Sequence, residues 1–134
     1  MNREYIELYD MAVEALENSY SPYSNFKVGA ALMTATGEIF TGCNVENASY
    51  GACICAERTA ACKGVSEGCR NFKAIAIAAK EKEQIKEAWP CGICRQFLYE
   101  FNKDLDVITG NSRNQLQVVK LRELLSMGFS LKEE

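Results

Sequence analysis

Two short cysteine motifs place the strongest constraint on how this 134-residue chain can fold. The first is Cys55-Ala56-Glu57, and the second is Pro90-Cys91-Gly92-Ile93-Cys94. On a helix, side chains at i and i+3 lie on one face, so both sulfurs of the second motif can reach one ion. The sequence contains no histidine, so a zinc site here must be built from thiolates and perhaps carboxylates.

Both motifs stand where the hydrophobic pattern predicts the start of a helix. Free N–H groups and the helix dipole favour negative charge at that position, which helps a cysteine to become a thiolate. Three ligands, Cys55, Cys91 and Cys94, leave zinc an open position for water, as in catalytic sites. Glu57 falls in the first turn and can lie beside the metal without binding it. Arg58 is placed to donate a hydrogen bond to a ligand sulfur and withdraw charge from it.

Two other interpretations of the cysteines stay open. Cys53 could join the three ligands in a closed four-cysteine site, although it precedes the predicted helix and would point away from Cys55. A single Cys-x-x-Cys also occurs in thiol-redox and structural zinc modules. Neither interpretation explains the Cys-x-Glu spacing. The other cysteines are interpreted as small apolar side chains; they are Cys43, Cys53, Cys62 and Cys69.

Hydrophobic periodicity predicts one α/β domain over residues 1–134. The order α-β-β-α-β-α-β-β-α predicts a mixed sheet of about five strands with helices on both faces. Pro90 is predicted at the first position of the third helix. The charged stretch 80–87 is predicted to be a surface loop or a frayed helical turn. The predicted helices are 5–16, 55–65, 91–101 and 121–125, and the predicted strands are 26–33, 39–43, 72–79, 106–109 and 115–119.

Charge and hydropathy exclude several classes of partner. The net charge is -3, the pI is about 5.1, and no window is rich in Lys and Arg alone, which disfavours a nucleic-acid partner. No apolar run approaches the roughly 18 residues of a membrane span, and the N-terminus lacks the layout of a signal peptide. Seven cysteines, an odd number, fit a reducing compartment better than a disulfide framework. We therefore expect a cytoplasmic protein that acts on a small, weakly charged ligand.

The combination of Cys-x-Glu with Pro-Cys-x-x-Cys is the signature of zinc-dependent deaminases, here in a three-cysteine form. With Ser21-Pro22-Tyr23-Ser24-Asn25-Phe26 and Asn44-Val45-Glu46-Asn47 added, the chain resembles the small homotetrameric cytidine deaminases of pyrimidine salvage. The resemblance implies a three-layer α-β-α sandwich with a mixed five-stranded sheet and one zinc ion per subunit. It implies hydrolytic deamination of cytidine and 2′-deoxycytidine, in active sites shared between the subunits of a homotetramer.

The resemblance also implies roles for individual residues. Glu57 moves protons and contacts the base near N3, and the backbone N–H of Ala56 contacts the base carbonyl oxygen. Asn44 and Glu46 hold ribose hydroxyls, and Phe26 packs on the pyrimidine ring.

Three more residues are implied to act across a subunit interface. Ala48 and Tyr50 would reach the ribose in a neighbouring subunit, and Phe129 would cover its base. The chain departs from the family pattern at Trp89, where a small polar residue is usual. It also lacks the proline that commonly follows the pair Leu124-Leu125.

Two rival functions remain. The substrate could be another cytosine-like molecule, such as a nucleotide, an aminated antibiotic nucleoside or an RNA base. Alternatively, the chain could be a structural zinc or thiol-redox module, which predicts that Cys53 is needed for zinc and that Glu57 is dispensable.

Overall fold

Ten helices and strands follow one another along residues 1–132, the part of the chain described by the computed structural model. A short 3-10 turn at Tyr50–Ala52 lies between the second strand and the second helix. In chain order the elements are α1 (Arg3–Leu16), β1 (Lys27–Thr34), β2 (Ile39–Cys43), α2 (Ala56–Ser66), β3 (Phe72–Glu81), β4 (Gln84–Lys86), α3 (Gly92–Tyr99), β5 (Asp106–Gly110), β6 (Leu116–Lys120) and α4 (Leu121–Leu124).

The strands form one mixed sheet in the order β2-β1-β3-β5-β6, with β4 paired to β3 off this path. Strands β3 and β5 are parallel, and the other pairs are antiparallel. The parallel pair needs a crossover, and the stretch between β3 and β5 contains α3. The predicted mixed α/β sheet is therefore confirmed.

The helices lie on both faces of the sheet and make three layers. On one face α1 buries Leu8, Tyr9 and Leu16 against the sheet. On the other face α2, α3 and α4 bury residues that include Leu98 and Leu121. Strand β3 alternates between the layers, with alanines towards α1 and isoleucines towards the other face, and it is buried on both sides as its apolar run predicted.

The prediction for residues 80–87 is wrong. Strand β3 continues to Glu81 and turns back into β4, so the sheet has six strands rather than five. The turn residues Lys82 and Glu83 have φ of 51° and 64°, as in the two-residue turns that suit hairpins. The Nζ atom of Lys86 lies 2.8 Å from Oε1 of Glu81, which forms an ion pair within this hairpin. Charged and polar residues dominate this hairpin, and its one apolar side chain, that of Ile85, packs against the core, so the pattern does not distinguish the hairpin from a loop.

The third helix is also shifted. It begins at Gly92, with Cys91 as its N-cap, so Pro90 lies outside the helix rather than at its first position. Pro90 still prevents the helix from extending backwards, because the ring restricts the preceding residue to extended backbone. Within residues 1–132, no helix is both long enough and apolar enough to cross a membrane.

Candidate active site

A cavity of about 420 Å³ opens at the N-terminal ends of α2 and α3. Its walls are largely apolar, with fewer polar groups among them. This is the usual composition of a small-molecule site, in which a few polar groups orient the ligand. The apolar lining includes Phe26, Val28, Ile77, Trp89 and Ile93, and the polar lining includes Asn44, Glu46, Glu57, Arg58 and the sulfur-bearing residues Cys55 and Cys91.

Three sulfurs meet at this cavity. Cys55 and Cys91 are the N-caps of α2 and α3, and Cys94 is buried in the first turn of α3. Their Sγ atoms all lie within 4.8 Å of one another, and Cys55 Sγ is 3.6 Å from Cys91 Sγ. Tetrahedral zinc with Zn–S bonds of about 2.3 Å needs sulfurs about 3.8 Å apart, so the donor set fits a zinc ion with little movement.

Arg58 bridges two of the sulfurs. Its Nε donates to Cys94 Sγ at 3.4 Å, and its Nη2 donates to Cys55 Sγ at 3.6 Å. A hydrogen bond from Cys94, followed by the bond from Arg58, lowers the pKa of Cys55 to about 5. The same contact raises the pKa of Cys94. The contact between these two sulfurs therefore favours the thiolate of Cys55 over that of Cys94.

Cys53 lies outside the three-sulfur group. Its Sγ accepts a hydrogen bond from the backbone N–H of Asn47 at 3.3 Å and contacts the carbonyl oxygen of Asn47 at 3.6 Å. Within the described residues, the group of ligating side chains that could hold a metal is Cys55, Cys91 and Cys94. This arrangement disfavours a closed four-cysteine site.

Glu57 lies in the first turn of α2 and is only 4% exposed. Burial raises the pKa of Glu57 to about 7, against a backbone hydrogen bond that lowers it. A carboxyl group that titrates near neutral pH can both accept and return a proton. The turn that carries Cys55 therefore also carries a group suited to proton transfer.

Asn44 and Glu46 also line the cavity, and their hydrogen bonds fix the backbone beside it. Asn44 donates through Nδ2 to the carbonyl of Phe26 at 2.8 Å and accepts the N–H of Val28 at 2.9 Å, so it fixes the start of β1. Glu46 accepts the N–H groups of Tyr23 and Ser24 at 2.9 and 3.1 Å, and the Ser24 hydroxyl as well. The hydroxyl bond holds the pKa of Glu46 below its usual range.

Several residues at the cavity were not singled out from the sequence. Ser24 is one, although it stands inside a motif that was recognised. The apolar lining residues Ile77, Ala88 and Ile93 were missed because a cavity wall and a core residue have the same hydrophobic pattern. Trp89 was noted as a departure from the family pattern, without a role.

Four further residues, Ala48, Tyr50, Ala56 and Phe129, are predicted from the resemblance to contact the substrate. Ala56 lines the cavity. Ala48, Tyr50 and Phe129 do not line it within one chain; Tyr50 is 76% exposed and Phe129 is 63% exposed. A single chain thus brings together the residues predicted to act within one subunit and leaves the three predicted to act across an interface on its surface.

Known proteins with similar sequences and structures carry the same type of domain. A sequence model of the family described as "Cytidine and deoxycytidylate deaminase zinc-binding region" matches residues 2–110. A probable cytidine deaminase from Dictyostelium discoideum is 50% identical over 109 residues, which cover 81% of this chain and 72% of that protein. A cytidine deaminase from Halalkalibacterium halodurans is 44% identical over 123 residues, 91% of each chain.

A solved structure agrees with these sequences. The cytidine deaminase from Burkholderia pseudomallei superposes with a TM-score of 0.84 at 44% identity, covering 96% of this chain and all of that one. The similarity includes the elements that carry both cysteine motifs.

Proposed function

The chain belongs to the cytidine and deoxycytidylate deaminase family, and from this premise we propose that its cavity binds cytidine or 2′-deoxycytidine and replaces the amino group at C4 by oxygen. The reaction consumes one water molecule and releases ammonia. The observation that carries the proposal is the meeting of three cysteine sulfurs and the buried carboxyl group of Glu57 at one cavity.

We propose that Cys55, Cys91 and Cys94 hold one zinc ion. When bound, zinc would supply Lewis acidity, which lowers the pKa of a bound water molecule towards about 7. Arg58 offsets part of the charge that three thiolates bring to the ion, because it donates to two of the sulfurs.

Glu57 is the proposed proton carrier. Its carboxylate takes a proton from the attacking water and delivers it to ring N3 as the new C4–O bond forms. It then delivers the second proton of that water to the amino group, which leaves as ammonia when the C4–N bond breaks. Burial of Glu57 suits this role, since the carboxyl group does not exchange its proton freely with solvent.

The rest of the cavity lining is the proposed nucleoside-binding surface. Phe26 offers an apolar face for the pyrimidine, and the Ala56 N–H is placed at the N-terminal end of α2, where a base carbonyl oxygen can accept it. Asn44 and Glu46 are proposed to bind the ribose hydroxyls. Their existing bonds to β1 and to Ser24 hold them in place before substrate arrives.

The charge of the cavity favours a nucleoside over a nucleotide. Among the residues that line it, the one cation is Arg58, and both of its described hydrogen bonds go to ligand sulfurs. A phosphate group would lie in the same cavity as Glu46 and Glu57 without a free guanidinium or ammonium to bind it. This supports a neutral substrate.

We further propose that the whole chain acts as one catalytic domain in the cytoplasm, where thiolates stay reduced. The working unit is proposed to be a homotetramer in which Ala48, Tyr50 and Phe129 complete the site of a neighbouring subunit. The exposure of Tyr50 and Phe129 supports this, because large aromatic side chains at a surface often mark a contact.

The test is a spectrophotometric assay on cytidine, with zinc quantified in the same sample. Wild type should deaminate cytidine and prefer it to cytidine 5′-monophosphate. Glu57→Gln should keep its zinc and lose at least about 10²- to 10⁴-fold in kcat, the usual contribution of general acid–base catalysis. Glu67→Gln, on the exposed end of α2, is the control and should retain activity.

Three outcomes would contradict the proposal. Near-normal turnover by Glu57→Gln would exclude it as the proton carrier. A preference for the monophosphate would change the substrate class. Loss of zinc in Cys53→Ala with no effect of Glu57→Ala would favour a structural zinc module instead.

A further inference from the structure

The side chain of Gln96 binds the backbone of Phe129 at two points. Its Nε2 donates to the carbonyl oxygen of Phe129 at 2.8 Å, and its Oε1 accepts the N–H of Phe129 at 3.3 Å. The backbone of a neighbouring strand would offer Phe129 the same pair of one donor and one acceptor. Gln96 lies on α3, two residues after Cys94, so these bonds connect the metal-bearing helix to the C-terminal segment.

The approach of this segment to α3 is close. Met127 has a φ of 57°, a left-handed conformation that turns the chain back after α4. A Cβ on Gly128 would lie 2.9 Å from ring atoms of Tyr99, so the backbone there sits directly on α3. Arg95 reinforces the arrangement, since its Nη1 donates to the carbonyl oxygen of Leu124 at 2.6 Å.

These contacts hold the backbone of Phe129 while its side chain stays 63% exposed. Such an arrangement costs entropy, because a segment without these contacts would move more freely. It also leaves an apolar ring exposed. A fixed backbone with an exposed aromatic ring is what an intermolecular contact requires, since pre-organisation removes an entropic cost from binding.

We propose that Gln96 is a positioning residue, which fixes the backbone of Phe129 so that its ring covers the pyrimidine bound by a neighbouring copy of the chain. The inference rests on the proposed function for the substrate and for the role of Phe129. Gln96 itself acts through Phe129, because its amide group is occupied by the backbone of that residue.

The choice of amino acid at position 96 supports this role. Glutamine offers one donor and one acceptor on a planar group, which matches one C=O and one N–H. Glutamate of the same length keeps the acceptor but places a carboxylate against the Phe129 carbonyl, and leucine offers neither bond. The chain has no proline after Leu124-Leu125, so no ring limits the conformations of this segment. The two hydrogen bonds from Gln96 are therefore more important for holding it in place.

The experiment compares Gln96→Leu, Phe129→Ala and the double variant, with steady-state kinetics on cytidine and zinc analysis of each. Gln96→Leu should raise KM about tenfold, which is about the effect of losing one to two hydrogen bonds. It should change kcat less than about twofold. Zinc content should not change. In the Phe129→Ala background, Gln96→Leu should raise KM no further. Gln96→Glu keeps the side-chain length and the acceptor but sets a carboxylate against the Phe129 carbonyl, so it should also raise KM.

Gln117→Leu is the matched control, because Gln117 is an exposed glutamine whose amide binds the side chain of Glu87 rather than the C-terminal backbone. It should leave KM unchanged. Hydrogen exchange of the peptide that contains Phe129 provides a readout that needs no turnover. Protection of the Phe129 amide should fall in Gln96→Leu and stay in Gln117→Leu.

The outcomes separate the two proposals. A wild-type enzyme that does not deaminate cytidine would refute the proposed function, whereas hydrogen exchange would still measure the hold of Gln96 on Phe129. Unchanged KM in Gln96→Leu, an equal rise of KM with and without Phe129, or loss of zinc would overturn the positioning role. If Gln96→Leu does not fold, the same comparisons with Gln96→Glu decide it.

Discussion

Three thiolates around one divalent cation carry more negative charge than the ion has positive charge. Such a site should activate water less well than one with neutral imidazole ligands, because the sulfurs donate electron density to the metal. Arg58 is the residue placed to offset this, with one guanidinium nitrogen on Cys94 and another on Cys55. We therefore propose that its role lies in the chemistry more than in the retention of the ion.

Replacement of Arg58 separates these two roles. Arg58→Ala should lower kcat/KM about 10-fold or more while zinc occupancy falls much less, since all three ligands remain. Arg58→Lys should recover little, because a single ammonium cannot reach two sulfurs in a fixed fork. The measurements are steady-state kinetics and elemental analysis of zinc. Arg70→Ala, at an exposed position near the end of α2, is the control. Equal losses of zinc and activity in Arg58→Ala would show that it only retains the metal.

The metal site could be predicted from the sequence because its spacing is local. Cys91 and Cys94 are one helical turn apart, and Glu57 is in the same turn as Cys55. Once a helix is predicted to begin at each motif, the side chains of that motif are predicted to lie together. The hold of Gln96 on Phe129 could not be predicted, because it joins residues 33 positions apart through an ordinary surface side chain. Nothing in the local pattern distinguishes that glutamine from a solvated one.

At the scale of elements, strong periodicity was informative and weak periodicity was not. The helix α1 and the buried strand β3 were predicted close to their observed bounds, since each has a clear apolar pattern. The strand β4 was missed because it is only three residues long, with one apolar residue, Ile85, between two polar ones, and because it pairs with the end of β3 alone. Pairing of that kind is decided by the backbone of a neighbour rather than by the strand's own residues.

Two glycines set the distance of the helices from the sheet. A Cβ on Gly42 would lie 2.5 Å from the backbone nitrogen of Ala60 and 2.8 Å from the carbonyl oxygen of Ala56, both in α2. A Cβ on Gly29 would lie 2.1 Å from the carbonyl oxygen of Ala12 in α1. The first glycine therefore controls the helix that carries Glu57, and the second controls the helix on the opposite face.

Gly42→Ala should push α2 away from β2. We expect a loss of about 1–3 kcal/mol in the free energy of unfolding, as for other overpacked sites, together with weaker zinc binding, since Cys55 caps this helix. Gly29→Ala should destabilise the fold at least as much, and its folded fraction should keep normal zinc affinity. Urea unfolding and competition with a chromophoric chelator measure the two effects. Equal zinc affinities in both variants would show that α2 shifts without disturbing the sulfurs.

Two hydrogen bonds join α1 to β5, and both connect distant parts of the chain. The hydroxyl of Tyr9 donates to the carbonyl oxygen of Gly110 at 3.1 Å. The hydroxyl of Tyr5 donates to Oδ2 of Asp106 at 2.6 Å, and Lys120 binds the other oxygen of that carboxylate at 2.7 Å. Burial, and then the bond to Asp106, raise the pKa of Tyr5 well above 10. The folded state therefore keeps this proton at pH values where the unfolded chain has lost it.

Tyr5→Phe should cost about 1–2 kcal/mol in the free energy of unfolding at pH 7. Because the folded pKa is raised, the stabilisation from Tyr5 is complete below about pH 10 and is lost as the pH rises further. The stability curves of wild type and Tyr5→Phe should therefore converge above about pH 10. Urea unfolding from pH 7 to 11 measures this, with Tyr20→Phe, at an exposed tyrosine, as control. A difference that stays constant with pH would contradict the assignment.

At the scale of the whole molecule, the exposed aromatic side chains support the proposal that the site is shared between subunits. Tyr50 and Phe129 project from the surface, and neither lines the cavity of its own chain. Ile93, at the rim of the cavity, is 66% exposed. Exposed apolar side chains near the rim of a cavity are expected where another subunit closes it. The resemblance to the family implies such a contact, whereas the hydrophobic pattern does not, since an exposed position and an interface position look alike until the fold is known.

Complementation between two defective variants tests whether sites are shared. Glu57→Gln removes proton transfer from its own site but still presents Tyr50, whereas Tyr50→Ala keeps Glu57 but lacks the proposed contact to a neighbour's ribose. Co-expression with different affinity tags yields mixed oligomers. With random association, roughly a quarter of the sites should combine an intact Glu57 with an intact Tyr50 from the next subunit.

Those sites should give a kinetic component with the wild-type KM for cytidine, which neither variant shows alone. The physical reason is that each contact in such a site comes from a chain that still has it. The control mixes Glu57→Gln with a Glu57→Gln, Tyr50→Ala double variant, which has no intact proton carrier and should stay inactive. If Tyr50 acts only within its own chain, the mixed oligomers will show the KM of Tyr50→Ala and no other, and the active site will be complete in one subunit.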